Sequence, residues 1–361
     1  MSTRIGIVGM PNAGKSSLFN ALTSAGAEAA NYPFTTIEPN VAVVPVRDER
    51  LEQVARVVGS SEVVWDTIDF HDIAGLVGGA HQGEGLGNRF LANIRETDAI
   101  VHVVRTHDDE SVVHPEGSVD PMRDVETVET ELVLADLEQA ERRHERVAKQ
   151  ARGGERVALA EEAWLAQVIS ELQAGRPARR VPVPDDAPNA ARDLGSLTAK
   201  PVLYVANVNE GSEELPSGLA EHAAARGARA IAISSRIESE LTELDASDAA
   251  AMRAELGVSE SGLQRVVAAA FSLLELIAFF TAGEGKPAQS WHMRDGLTAW
   301  HAAGEVHSDI QRGFVRAEVI SWRELVDAGG YAGARERGTL RVEGRDYAMR
   351  DGEVITVKFT P

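Results

Sequence analysis

Short apolar runs recur along the first two thirds of the chain, each too brief for a buried helix. Arg4–Val8 (RIGIV) runs into a glycine-rich turn and reads as a buried strand. Leu18 and Leu22 follow at helical spacing, so a helix is expected to begin near Lys15. Val41–Val46, Ile68–His71, Ala99–Val104, Val202–Ala206 and Ala228–Ile233 are further strand candidates, and helical stretches separate several of them. Alternation of this kind predicts an α/β layer on a mostly parallel sheet.

Residues from about Asp124 to Gly175 break the rhythm. They are rich in Glu, Arg, Ala and Leu, with glycine concentrated at Gly153-Gly154. Leu132, Leu134 and Leu137 before that pair, and Val157, Leu159, Trp164, Leu165 and Ile169 after it, form apolar stripes. Two antiparallel helices projecting as a hairpin are expected. The proline-rich Arg176–Pro188 reads as a loop. Ser259 is placed to cap a last helix, with Leu263, Val266, Val267, Ala270, Leu274 and Ile277 on one side. Thr281–Pro287 (TAGEGKP) looks like a linker. Near the end, Asp351-Gly352 lies between two strand-like runs of Tyr347–Phe359, a hairpin signal. The division is therefore 1–277, containing a helical insertion and loop at 124–198, and a small α+β domain at 278–361.

Composition narrows the class. The 361 residues contain no cysteine and no apolar run of membrane-spanning length, so neither disulfides nor a membrane span are expected. The N-terminus runs straight into a strand and leaves no room for a signal peptide, which points to the cytoplasm. A net charge of −20 argues against broad, non-specific nucleic-acid binding. From residue 278 onward the balance is 11 basic against 12 acidic side chains, which makes this near-neutral segment the better place for an RNA contact.

The chemistry is concentrated in Gly9-Met10-Pro11-Asn12-Ala13-Gly14-Lys15-Ser16, a complete G-x-x-x-x-G-K-S loop. Its backbone N–H groups can wrap phosphates, Lys15 can neutralise the β/γ oxygens, and the Ser16 hydroxyl can ligate Mg²⁺. Asp72 closes a strand and opens Asp72-Ile73-Ala74-Gly75, the pattern of a carboxylate behind the metal. The glycine-dense Gly75–Gly87 reads as a switch that reports the γ-phosphate. Thr35 or Thr36 could add a hydroxyl to the metal, and residue chemistry alone does not choose between them.

Together NYPFTTIEPN, DIAGLVGGAHQGEGLGNRFL, RETDAIVHVVR, VDPMRDVETVETELVLADLEQAERR and the ending EGRDYAMRDGEVITVKF resemble the YchF/Ola1 family. These are Obg-related P-loop ATPases of the TRAFAC class, and the likeness covers essentially the whole chain. The resemblance implies a G domain with a coiled-coil hairpin insertion and a ubiquitin-like β-grasp TGS domain. It implies a slow, Mg²⁺-dependent hydrolysis of ATP to ADP and phosphate, and links to the ribosome and stress responses. By motif, the phosphates fall on Asn12, Ala13, Gly14, Lys15, Ser16 and Ser17, and Mg²⁺ on Ser16 and Thr36. The base-reading motif falls on Asn207-Val208-Asn209-Glu210, where members usually carry Met in place of Val208. Ser234-Ser235-Arg236 takes the place of a loop that packs on the base.

GTP-specific relatives read guanine through N-K-x-D, whereas Val208 offers no lysine stem and Glu210 is one methylene longer than Asp. ATP is therefore expected to be preferred. Ras-type enzymes place a water-orienting Gln two residues after the switch glycine; Leu76-Val77 follow Gly75 here, so another group must position water. His81 is the candidate, set against a plain solvated histidine. Asn12 lies where related P-loop proteins hold K⁺. Beside a slow triphosphatase stand a nucleotide-gated binding module and a small-molecule kinase; no acceptor pocket or lid pattern supports the kinase.

Overall fold

The computed structural model describes residues 3–27, 40–73, 86–109, 112–258 and 261–360. Strand β1 (Thr3–Val8) buries Ile5, Ile7 and Val8 and turns into helix α1 (Lys15–Ala27). β2 (Val41–Pro45), α2 (Glu49–Val58), β3 (Val63–Val64), β4 (Thr67–Asp72), α3 (Leu86–Arg95) and β5 (Ala99–Arg105) follow. The next elements are α4 (Pro121–Ala151), α5 (Arg156–Gln173), α6 (Ala190–Leu194), β6 (Val202–Asn207), α7 (Ser217–Ala225), β7 (Arg229–Ile233), α8 (Ser235–Leu241), α9 (Ala246–Glu255) and α10 (Gly262–Leu273).

The first sheet has the order β2-β4-β1-β5-β6-β7. All its pairs are parallel except β2 against β4 at one edge. β5 is buried along its whole length, as a parallel strand covered on both faces must be. On one face, Leu18 and Leu22 of α1 and Leu263, Val266 and Ala270 of α10 pack on Ile5, Ile7 and Val101. On the other, Phe90 and Ile94 of α3 and Val128 and Leu132 of α4 pack on Val8 and Ile100. The expected mostly parallel α/β layer is present.

The insertion is a helical hairpin. Asp120 accepts from the Arg123 N–H and Pro121 opens α4, a strong start signal. Gly154 takes φ 77° at the turn into α5. Ala140, Val147, Trp164, Leu165 and Val168 form the seam. Contrary to the sequence expectation, Val157 and Leu159 do not lie on that stripe but are exposed, because the buried face of α5 enters the seam through Ala158, between them, and continues through Leu165, Val168 and Leu172. Asp136 ties α4 to the core: its carboxylate accepts from the Leu197 and Thr198 N–H groups and the Thr198 hydroxyl at 2.6–2.8 Å.

The C-terminal part comprises β8 (Leu276–Thr281), β9 (Ala288–Arg294), α11 (Ala299–Val306), α12 (Ser308–Arg312), β10 (Phe314–Ser321), α13 (Trp322–Asp327), α14 (Tyr331–Glu336), β11 (Arg341–Glu343) and β12 (Glu353–Phe359). β8 and β9 form an antiparallel hairpin, and β12 lies between β10 and β8, parallel to β8. α11 covers one face through Ala299 and Ala302 against Phe279, Val319 and Ile355. This is the β-grasp arrangement.

Four expectations need correction. Thr281–Pro287 is the turn of the β8–β9 hairpin rather than a linker; the chain passes from α10 to the second sheet at Leu274-Glu275. Ile277 belongs to β8, not to the preceding helix. Ser261, not Ser259, stands at the N-cap of α10, and the Glu238 carboxylate takes the Gly262 and Leu263 N–H groups; Ser259 lies outside the described residues. Asp351-Gly352 does not join two paired strands: Gly352 donates to the Ala278 carbonyl and Asp351 accepts from the Ala278 N–H, so the turn is fastened to β8.

One feature crosses the expected division. β3 pairs in parallel with β9 and extends the second sheet, whose order is β11-β10-β12-β8-β9-β3. Leu51, Val54 and Ala55 of α2 pack among Ala278, Phe280, Ile320 and Leu325. Among the described residues no helix is long and apolar enough to cross a membrane.

Candidate functional site

The carboxyl ends of parallel strands are where an open α/β sheet receives ligands, because loops there diverge and leave a crevice. β1, β5 and β6 end at this edge, β7 delivers Ser234 to it, and together they frame a cavity of about 770 Å³. Asn12, Gly14, Lys15, Ser16 and Ser17 line one side of it, and Asn207, Val208, Glu210 and Ser234 the other. Two motifs nearly 200 residues apart in sequence thus share one cavity.

The loop itself needs its glycines. Gly9 and Gly14 have φ of 152° and 102°, and Asn12 is left-handed at 60°. A Cβ on Gly14 would meet Asn207 Nδ2 at 2.3 Å. Lys15 is buried and donates to the Met10 carbonyl at 2.7 Å. Burial lowers its ammonium to about 8, with the Asp72 carboxylate acting against the shift. Burial likewise raises the Asp72 carboxyl above its ordinary value, opposed by Lys15. The two charges therefore stabilise each other across β1 and β4, whose register places Ile7 opposite Asp72.

Asn207 lines the cavity with its amide anchored at both ends. Nδ2 donates to the Ala13 carbonyl at 3.1 Å and Oδ1 accepts from the Ser235 N–H at 3.0 Å. It stitches the phosphate loop to the start of α8. Ala13 itself is buried and contributes that carbonyl. Val208 lines the cavity while packing with Ala206 and Leu219. Glu210 lies against Arg236 at 3.2 Å, and the Ser234 hydroxyl caps α8 by accepting from Ile237. Asn12 Nδ2 donates to the Val113 carbonyl at 3.0 Å, which fixes the orientation of the amide whose oxygen is the atom able to meet a cation. Thr36, its rival Thr35, and His81 lie outside the described residues.

Several lining residues escape a reading by motif. Arg105 closes β5 and is almost fully buried; its guanidinium donates to the carbonyls of His107, Asp109 and Val112 at 3.0–3.1 Å and so fixes the loop over the cavity. A charged residue ending a strand that is apolar except for His102 was the available signal. Ser235 also lines the cavity, and its buried hydroxyl has no hydrogen-bond partner among the described residues. A buried hydroxyl left alone costs about 1–3 kcal/mol, so a polar group in the cavity has something to satisfy. No sequence pattern marks it.

The donor set fits a phosphate-held Mg²⁺. Ser16 presents a hydroxyl to the cavity, and Asp72 is a single carboxylate beside Lys15. Among the described residues no three His, Asp or Glu side chains could cage a metal by themselves. Mg²⁺ suits such a site, since it keeps waters and takes its remaining oxygens from substrate phosphates.

Comparison with known proteins agrees with this geometry. Residues 4–141 match a family model described as a 50S ribosome-binding GTPase, and residues 276–360 match the C-terminal model of YchF GTPases, described as a protein of unknown function. The chain is 45% identical over 365 residues to the "Ribosome-binding ATPase YchF" of Bacillus subtilis, covering 99% of this chain and 100% of that one. It is 46% identical over 362 residues to the protein of the same name from Escherichia coli O157:H7, covering 99% of each. The solved YchF GTPase of Schizosaccharomyces pombe superposes with a TM-score of 0.87 at 33% identity, over 99% of this chain and 98% of that one. A GTP-binding protein from Pyrococcus horikoshii shares the fold at a TM-score of 0.65 and 22% identity, over 99% of this chain and 100% of that one. With a phosphate loop and a base-side motif facing one cavity, and full-length likeness at this level, the chain belongs to the YchF family of P-loop nucleoside triphosphatases.

Proposed function

We propose that the chain is a Mg²⁺-dependent ATPase, preferring ATP to GTP, that serves as a nucleotide-dependent switch on the ribosome in the cytoplasm, in translation or in response to stress. The observation that carries the reading is the cavity shared by Asn12, Gly14, Lys15, Ser16 and Ser17 with Asn207–Glu210. The printed names of the bacterial relatives supply the ribosome. Lys15 neutralises the β/γ oxygens, Ser16 with Thr36 holds Mg²⁺, and Asp72 orients that shell and keeps Lys15 charged. The metal supplies charge neutralisation on the phosphates. The G domain is assigned to 1–277 and the TGS domain to 278–361, the part assigned to an RNA contact.

Base choice follows from Glu210 and Val208. An Asp in the Glu210 position would accept from guanine N1–H and the exocyclic amine. The Glu210 carboxylate instead lies against Arg236, so guanine's donors lose the paired carboxylate that discriminates the base. Adenine presents a C6 amino group that backbone carbonyls near Val208 or Ser234 can accept. The test is calorimetry of ATP and GTP with wild type and Glu210→Asp. Wild type should prefer ATP, and the variant should narrow the gap; a wild-type preference for GTP sinks the reading. Val208→Lys is a poor companion, because it would place an ammonium among Ala206 and Leu219.

For the chemical step, K⁺ at the Asn12 amide oxygen adds positive charge beside the transferred phosphoryl group, and His81 positions water. Hydrolysis is expected to be faster in KCl than in NaCl, and His81→Ala to be slower by at least about tenfold. Equal rates in both salts remove the K⁺ assignment, and an unimpaired variant removes His81.

A further inference from the structure

One hydroxyl at the nucleotide cavity is left without a protein partner. Ser235 opens α8 just after β7, is 1% exposed, and lines the cavity. Its Oγ is buried and makes no hydrogen bond among the described residues. Its backbone N–H is already spent on Asn207 Oδ1 at 3.0 Å, so the hydroxyl is the donor and acceptor that the side chain still has to offer.

The polar side chains beside it are engaged. The Ser234 hydroxyl accepts from the Ile237 N–H, Glu210 lies against Arg236, and Arg236 also meets Glu240 at 3.1 Å. Asn207 Nδ2 donates to the Ala13 carbonyl. Gly14 keeps the space before the hydroxyl open. A Cβ there would stand 3.5 Å from Ser235 Oγ and 2.3 Å from Asn207 Nδ2, so both atoms border the same gap. Gly14 and Asn207 are uncharged, and the Lys15 ammonium lies on the Met10 carbonyl instead. Such surroundings suit the edge of a base better than a phosphate oxygen.

We propose that the Ser235 hydroxyl reads the base, meeting the edge of adenine that carries N7 and the C6 amino group. A serine hydroxyl has one hydrogen to donate and lone pairs to accept with. Adenine presents an acceptor, N7, beside a donor, the C6 amine. The hydroxyl accepts from the amine and donates to N7 at once. Guanine presents two acceptors along the same edge, N7 and the C6 oxygen. There the hydroxyl donates to one of them and receives nothing. Ser235 therefore favours ATP on an edge of the purine away from the N1–H and exocyclic amine that an Asp in the Glu210 position would read. The inference deepens the proposed base choice and rests on that reading for the presence of a purine in this cavity.

Ser235→Ala removes the hydroxyl and leaves the backbone N–H on Asn207, so the fold should be kept. Calorimetry compares wild type and variant with three ligands: ATP, purine riboside triphosphate, which has hydrogen in place of the C6 amine, and an ATP analogue with C–H in place of N7. The substitution should weaken ATP by at least about fivefold. Each analogue keeps one of the two bonds and should be weakened by only about twofold. An ATP affinity unchanged by the substitution overturns the proposal. So does an equal loss for all three ligands, which would give the hydroxyl a part elsewhere in the site. Wild-type affinity for ATP against GTP tests the base choice separately. Tighter GTP binding, with the unequal losses intact, sinks the ATP reading while the Ser235 contact stands. A preference for ATP with equal losses leaves the reading in place and removes the contact.

Discussion

Lys15 shows how a single buried charge sets the terms of binding. Desolvation lowers its ammonium to about 8 in the protein alone. A triphosphate beside it restores the charged form, so binding above that value requires proton uptake. ATP affinity should be flat in this group below about pH 8 and fall by up to tenfold per unit above it, until the raised value of the complex is reached. Calorimetry in buffers of different ionisation enthalpy measures the uptake directly; no uptake at pH 9 would contradict the assignment. Asp72 has a matching part, since neutralising it removes the carboxylate that opposes the shift. Asn207 braces the site as well as lining it. Its amide ties Ala13 to Ser235, a role in the fold that the motif alone does not reveal.

At the level of elements, the informative case is α2. Its residues read as an ordinary helix of the first domain: Asp48 caps it, acids open it and Gly59 closes it at φ 73°. What the helix packs against could not be read. Leu51 and Val54 are buried by the second sheet, and Arg50 reaches the Asp351 turn at 2.5 Å while also holding Asp48. Burial acts to raise the Asp351 carboxyl, but Arg50 and the Ala278 N–H outweigh it and hold it below the usual range. A depressed carboxylate contributes stability above its unfolded value and loses it as pH falls. Arg50→Ala should therefore cost about 1 kcal/mol near neutrality, the pair being half exposed. The difference from wild type should shrink below about pH 4. Thermal unfolding at several pH values checks both, and a constant difference down to pH 2 excludes the Asp351 contact as its source.

For the whole molecule, a division at 277/278 taken by itself would let 278–361 be removed without harm to hydrolysis. The shared core argues otherwise. Removing that segment exposes Leu51 and Val54 and takes away β9, the partner of β3. The truncated chain should lose at least about 3 kcal/mol or aggregate, as read by thermal unfolding and light scattering. A soluble truncation with wild-type melting and full ATPase rate would show the joint to be dispensable. The joint also lies between β2 and β4, the strands on either side of residues 46–66, and β4 ends at Asp72. The β-grasp domain is thus built onto the same stretch of chain that leads to the metal-side carboxylate.

Sequence by itself determined whatever is contiguous. The phosphate loop is legible because backbone wrapping demands glycines and a lysine at fixed neighbouring positions. The strands were legible because buried parallel strands are built largely from short apolar runs, and the hairpin because helical stripes repeat locally. Tertiary structure decided what depends on residues far apart: the burial of Ser235 and Arg105 at the nucleotide cavity, and the fastening of α2 and β3 to the second sheet. The Asp351-Gly352 turn was misread for the same reason. A two-residue signal fixes local backbone shape, but which strand receives the next run is settled by competition among all available edges, and there the fit beside β8 and β10 prevails.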